Sequence, residues 1–250
     1  PMLAYPVSAK PIDYSKPVFI QPKLDGVRCL IQADSYSDKG SIIPIVTAYS
    51  RTGKEWKNIN HILEELVPFF TKHPNVVLDG ELYNHDFKDR FEDIISMVRK
   101  TKPTFQARAT ARDHVQFHCY DIVNRKMKFS TRDNWLLNNV LVSDCIKLVE
   151  TYWVDSDIEA RVRHKHNLRL GYEGSIVRLD TPYQCKRSHS LRKFKDFSDA
   201  EANIVGYEEG KGKRTGTLGK FIMQDDDGNQ FGCPPGKGHN YKDLALMLAN

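Results

Sequence analysis

Apolar residues along this chain come in short runs broken by turn signals, and strand-like and helix-like spacings alternate. Val18-Phe19-Ile20 and Cys29-Leu30-Ile31 are continuous apolar runs on either side of Gly26, the pattern of strands buried on both faces. Val76-Val77-Leu78 predicts a short buried strand ending at Asp79-Gly80, where Asp79 reads as a turn residue. Residues 115–120 alternate as a strand should. Phe91, Ile94, Ile95 and Val98 recur at helical spacing and predict an amphipathic helix over residues 90–100. Ile62, Leu63 and Leu66 predict another, closed by Pro68, and Ile158 and Val162 place a third before Gly171. Residues 100–112 hold few apolar side chains and many cations, and read as an exposed connection. The proline-punctuated stretch up to Pro17 is expected to wrap the surface.

The composition shifts after Phe197. Glycine and cations dominate residues 208–219, residues 220–224 are strand-like, and Asp227-Gly228-Asn229 is a turn signal before Gln230-Phe231-Gly232. Short strands joined by glycine-rich turns suggest a small β-barrel. Residues 241–248 look like a helix. Two domains follow, at residues 1–197 and 198–250.

A length of 250 residues accommodates both domains and a sizeable core. The formal charge of +5 favours a polyanionic partner only mildly. The five cysteines are far apart and form no C-x-x-C pair, which argues against a zinc site or a disulfide framework and fits a reducing compartment. No apolar run approaches membrane-spanning length, and no signal-peptide segment is present. A soluble intracellular protein is expected, cytoplasmic or nucleoid-associated.

The chemistry concentrates in Lys23-Leu24-Asp25-Gly26-Val27-Arg28. Gly26 allows a tight turn and close approach of a ligand to the backbone, with a lysine amine at a strand end beside an acid and an arginine. Further strings follow in order: Ser50-Arg51-Thr52-Gly53, Asp79-Gly80-Glu81-Leu82, Phe117-His118-Cys119-Tyr120-Asp121, Glu173-Gly174-Ser175-Ile176-Val177-Arg178 and Leu191-Arg192-Lys193-Phe194-Lys195. His164-x-His166 points to two sides of a helix and is a poor metal pair; solvated histidines are expected there.

These six strings resemble the signatures of the covalent nucleotidyltransferases, a group comprising DNA ligases, RNA ligases and mRNA capping enzymes. The match is best to ATP-dependent DNA ligases of the small viral or bacterial type. The resemblance implies an α+β fold: an ATP-grasp-like nucleotidyltransferase domain followed by an OB-fold domain, incomplete here. It implies that Lys23 attacks the α-phosphate of ATP and carries AMP to the 5′-phosphate at a nick in duplex DNA. The adjacent 3′-hydroxyl then displaces AMP. Glu173 is the implied carboxylate for Mg²⁺ or Mn²⁺, Glu81 reads the ribose, and Asp25 orients Lys23 or the metal's waters. Phe117 is the implied base-stacking residue, Lys193 and Lys195 bind phosphate oxygens, and Arg28 belongs to the nucleotide site. Gln21 stands where many ligases place an acid or a backbone contact to adenine. Arg51 is an implied contact to DNA, and so are Lys211, Lys213 and Arg214 of the glycine-rich loop. ATP is favoured over NAD because twenty-two residues precede Lys23, too few for a nicotinamide-recognition domain. A monomer is expected. An RNA ligase, a GTP-dependent capping enzyme and a catalytically silent nucleic-acid-binding module are the alternatives.

Overall fold

In the computed structural model, residues 1–38, 41–196, 201–236 and 238–249 are described. The chain divides into two compact units, Pro1–Asp196 and Phe197–Asn250; the expected junction at 197/198 lies outside the described residues.

The first unit opens with β1 (Leu3–Pro6), β2 (Val18–Lys23), β3 (Val27–Asp38) and β4 (Ser41–Tyr49). Two short helices follow, α1 (Asn60–Glu65) and α2 (Val67–Lys72), then β5 (Leu78–Tyr83), α3 (Phe91–Val98), α4 (Phe105–His114) and β6 (Gln116–Ile122). The unit ends with α5 (Phe129–Asn139), β7 (Ile146–Leu148), β8 (Tyr152–Val154), α6 (Asp157–Arg169), β9 (Gly174–Leu179) and β10 (Arg187–Phe194).

Two five-stranded sheets result. One has the order β1-β10-β9-β2-β8, the other β4-β3-β5-β6-β7. Pairing is antiparallel except between β1 and β10 and between β6 and β7. Cys29, Ile31, Leu78, Leu82, Phe117 and Cys119 of the second sheet pack with Ile62, Phe70, Ile94 and Val98 of its helices. Val18, Ile20 and Val177 of the first sheet pack with Ala160 of α6.

Several elements differ from the sequence expectation. Leu78 begins a strand instead of ending one, and β5 runs straight through Asp79-Gly80-Glu81. Asp79 is therefore a buried mid-strand residue and not a turn. Pro68 lies in the first turn of α2 and does not close a helix, because an amide at that position would have no acceptor within the helix for proline to forfeit. Residues 100–112 contain most of α4, a helix with no apolar stripe because it buries only Ala107 and Ala111. Its start is fixed by Thr104, whose Oγ1 accepts from the Ala107 amide. The helix near Gly171 exists as α6, yet Ile158 and Val162 face solvent while Ala160, His164 and Asn167 are buried. The N-terminal stretch supplies β1, an integral strand.

The second unit holds β11 (Asn203–Glu209), β12 (Leu218–Gln224), β13 (Gln230–Cys233) and α7 (Tyr241–Ala249). Its strands form one antiparallel sheet in the order β11-β12-β13. Among the described residues the sheet does not close into a barrel.

Candidate active site

Three strands of the first sheet bring the reactive side chains to one end. Lys23 is the last residue of β2 and pairs with Gly174, and the Glu173 amide donates to the Lys23 carbonyl at 3.2 Å. Beyond the end of the neighbouring β10 lies Lys195. The two carboxylate oxygens of Glu173 are shared out, Oε2 to the Lys23 ammonium and Oε1 to the Lys195 ammonium. Burial pulls the Lys23 ammonium below the ordinary lysine range, opposed by the charges of Glu81 and Asp25. The Lys195 ammonium is lowered by burial and then by the charge of Lys23. Asp25 sits in the turn after β2 and acts on both lysines through its charge.

The second sheet supplies the facing wall. Gly26 is required because a Cβ there would stand 2.5 Å from the Leu82 carbonyl oxygen and 2.6 Å from Cγ of Glu81. Burial pushes the Glu81 carboxyl up to about 7, although Arg28 and Lys23 pull it down. The Tyr120 hydroxyl donates to Glu81 Oε2 at 3.2 Å. Between the sheets lies a cavity of about 230 Å³, lined by Leu3, Ala4, Gln21, Lys23, Leu24, Glu81, Tyr120, Ile176, Arg178 and Lys193. It offers an aromatic ring, aliphatic side chains, an acid and cations in one space.

Two buried ion networks form the cavity's frame. Arg28 donates through both Nε and Nη2 to Asp79, which also accepts from the Tyr183 hydroxyl at 2.6 Å. That hydroxyl accepts from the Met2 amide at 2.8 Å. In the second network Asp121 accepts from Arg132 Nε at 2.6 Å and from Arg178 Nη1 at 2.7 Å. The Arg178–Asp121 pair ties β9 of one sheet to β6 of the other. Arg178 Nε also donates to Gln21 Oε1 at 2.6 Å, and Gln21 Nε2 donates to Thr151 Oγ1 at 2.9 Å. Both ends of the Gln21 amide are thus held by protein.

Phe117 does not reach the cavity. It is fully buried, and its ring fills the space over Gly80, where a Cβ would lie 2.5 Å from Cε2 of Phe117. A ring enclosed by core on every side presents no face for stacking, so that expectation is corrected. The aromatic ring at the cavity is Tyr120, three positions on and therefore on the other side of β6. Arg28 lines the cavity, but its guanidinium is engaged by Asp79. Tyr120, Ile176, Leu3 and Ala4 were not singled out from the sequence as site residues. The signal that could have identified Tyr120 is Gly80 on the adjacent strand, which leaves room for the Phe117 ring on the core side.

Arg51 is exposed and lines both this cavity and an adjoining groove of about 790 Å³. Lys54, Arg99 and Lys100 line the groove too. In the second unit, Lys211, Lys213 and Arg214 are all exposed, the latter two in a 3-10 turn. His164 is buried, not solvated, whereas His166 is exposed. Among the described residues, no cluster of three or more His, Cys, Asp or Glu is arranged to hold a metal ion, and no helix is long and apolar enough to cross a membrane.

A family model described as ATP dependent DNA ligase domain matches residues 1–195. The DNA ligase of Enterobacteria phage T4 is 25% identical over 253 residues, covering 85% of this chain and 51% of that protein. A DNA ligase of African swine fever virus is 31% identical over 215 residues, covering 80% of this chain and 46% of that protein. The chain spans about half the length of the curated relatives it matches. Among solved structures, a Lig E DNA ligase aligns with a TM-score of 0.73 at 23% identity, over 98% of this chain and 86% of that one. The ATP-dependent DNA ligase from bacteriophage T7, in complex with ATP, aligns with a TM-score of 0.58 at 17% identity, over 99% of this chain and 81% of that one. At these identities the likeness is one of fold.

Proposed function

This chain belongs to the ATP dependent DNA ligase domain family, and from that premise we propose that it carries out nucleotidyl transfer on Lys23 and seals nicks in duplex DNA. The observation that carries this reading is the convergence of Lys23, Glu173 and Lys195 at the edge of a cavity walled by Tyr120, Ile176 and Glu81.

In the first step Lys23 Nζ, having lost a proton, forms a bond to the α-phosphorus of ATP as the bond to the bridging oxygen breaks and pyrophosphate leaves. Burial of the amine eases that proton loss. AMP then passes to the 5′-phosphate of a nick, and the 3′-hydroxyl displaces it to close the phosphodiester. The base lies against the Tyr120 ring, with Ile176 as an aliphatic wall; stacking of this kind contributes about 1–3 kcal/mol. A carboxyl oxygen of Glu81 accepts from a ribose hydroxyl. Lys193 and Lys195 contact phosphate oxygens, and Asp25 orients Lys23. Arg28 shapes the nucleotide wall through Asp79. Gln21 borders the base with its amide held by Arg178 and Thr151.

Glu173, whose two oxygens here meet Lys23 and Lys195, would be the protein carboxylate for Mg²⁺, or Mn²⁺. Mg²⁺ commonly takes one or two carboxylates and completes its shell with substrate phosphates and water, so the lack of a three-acid cluster among the described residues suits it. When bound, the ion neutralises charge developing on the phosphate oxygens. Arg51 and its groove, and the Lys211, Lys213 and Arg214 turn, supply phosphate contacts to nicked duplex. One copy holds every nucleotide-site residue named, which supports a monomer. The phage and viral relatives support a virus-encoded protein working inside the infected cell.

The test is covalent labelling with α-labelled ATP or GTP, followed by sealing of nicked DNA. Label from ATP is expected on the wild-type protein and absent from Lys23→Ala and Lys23→Arg, since arginine stays protonated and has no free lone pair. A labelled band in either variant, or transfer from GTP in place of ATP, would overturn the assignment.

A further inference from the structure

Lys195 stands one residue beyond β10, past the last ladder pair, Phe194 with Ser175. The sheet therefore does not hold it, although its ammonium meets Glu173. The residues on either side of it meet His164 of α6. Its imidazole lies flat on Phe194, with ring centroids 3.8 Å apart and 11° between the planes. Nδ1 is 3.1 Å from Ser175 Oγ, and Nε2 is 3.0 Å from Asp196 Oδ1. A Cβ on Gly174 would be 3.4 Å from its Cε1. One ring thus touches the two residues that follow Glu173 and both neighbours of Lys195.

Asn167 Nδ2 donates to Ser175 Oγ at 2.9 Å; in the tautomer with its proton on Nε2, the His164 ring accepts from the Ser175 hydroxyl at Nδ1 and donates to the Asp196 carboxylate, so that every partner is satisfied. Asp196 itself is 64% exposed on its side chain, so its contact fills no core, and such surface contacts add little stability. Its effect is geometric.

We propose that His164 is a positioning residue that pins Ser175 and Asp196, and so holds Glu173 and Lys195 in place around Lys23. This rests on reading Lys23, Glu173 and Lys195 as the nucleotidyl-transfer site.

The test uses the full chain, three single variants and one double variant. Asp196→Ala removes the pin's outer end on the surface. His164→Gln can still reach Asp196, while His164→Asn can reach only Ser175. Lysyl-AMP formation at saturating ATP should fall on the order of tenfold in Asp196→Ala, as expected for a displacement of a fraction of an ångström. KM for ATP and the unfolding midpoint should stay within error of wild type. His164→Asn should lose as much, His164→Gln should recover most of the rate, and the Asp196→Ala/His164→Asn pair should be no worse than either alone. Hydrogen–deuterium exchange over residues 191–196 should quicken in Asp196→Ala, a readout that needs no activity. A wild-type rate in Asp196→Ala, additive losses in the pair, or unchanged exchange over 191–196 would overturn the pin. If wild-type protein forms no lysyl-AMP at all, the functional reading falls, and the exchange measurement alone still decides the pin.

Discussion

Glu81 offers a measurable pH dependence. Its carboxyl is pushed from the ordinary 4.5 up to about 7, first by burial. A carboxyl with a higher pKa in the folded protein than in the unfolded chain binds its proton more tightly when folded. Its contribution is therefore most favourable below about pH 4.5 and declines as pH rises, the loss being complete above about pH 7. Each unit of pKa corresponds to about 1.36 kcal/mol, so ionising Glu81 costs the fold about 3 kcal/mol. Glu81→Gln keeps the shape and removes the charge. The variant should match the wild type near pH 4.5 and exceed it by up to about 3 kcal/mol at pH 8. Trp56, Trp135 and Trp153 all lie in the first unit, so intrinsic fluorescence in a urea titration reports that unit directly. Subtracting the variant's curve removes every other titrating group. Parallel stability-against-pH curves for the two proteins would refute the burial argument.

Tyr120→Leu should weaken ATP binding by about 1–3 kcal/mol with the unfolding midpoint little changed, whereas Phe117→Ala should cost about 3–5 kcal/mol of stability; calorimetric titration and urea unfolding on both variants would expose a reversal of those roles. Asp121→Ala leaves Arg132 and Arg178 buried without their shared carboxylate, and should destabilise the first unit by about 3–5 kcal/mol, read again by tryptophan fluorescence. Replacing Lys211, Lys213 and Arg214 together by alanine should lower the slope of log affinity for nicked duplex against log salt by about one unit per lost phosphate contact. An unmoved slope would mean that this turn does not face DNA.

The lysine end of the site was legible in the sequence because its geometry follows from strand ends. Lys23 closes one strand, Glu173 precedes its neighbour and Lys195 follows the next, so pairing alone brings them together. The base side was less legible. Phe117 and Tyr120 are an odd number of residues apart, so one must face the core and the other the cavity, and composition does not say which. Glycine decides it: Gly80 on the adjacent strand leaves room for the Phe117 ring. Asp79 was misread because Asp-Gly commonly marks a turn, while here Arg28 and Tyr183 compensate a carboxylate in mid-strand. The helix α4 escaped because alanine, not leucine or valine, forms its buried face. The anchoring role of His164 depends on groups eleven and thirty-two positions away, beyond any local pattern.

The pairing of β1 with β10 also sets an order of events during synthesis. Leu3 and Ala4, on the first strand, meet Arg187 and Ser188 on the last strand of the unit, and the Met2 amide bonds to Tyr183, 181 positions away. A chain emerging from the ribosome keeps its first strand unpaired until nearly the whole unit has been made, and contacts so distant in sequence form slowly. The cavity between the two sheets is thus among the last parts of the unit to be closed. ATP added to partly made chains should find no complete site, and its arrival can stabilise the folded unit without steering how that unit is reached.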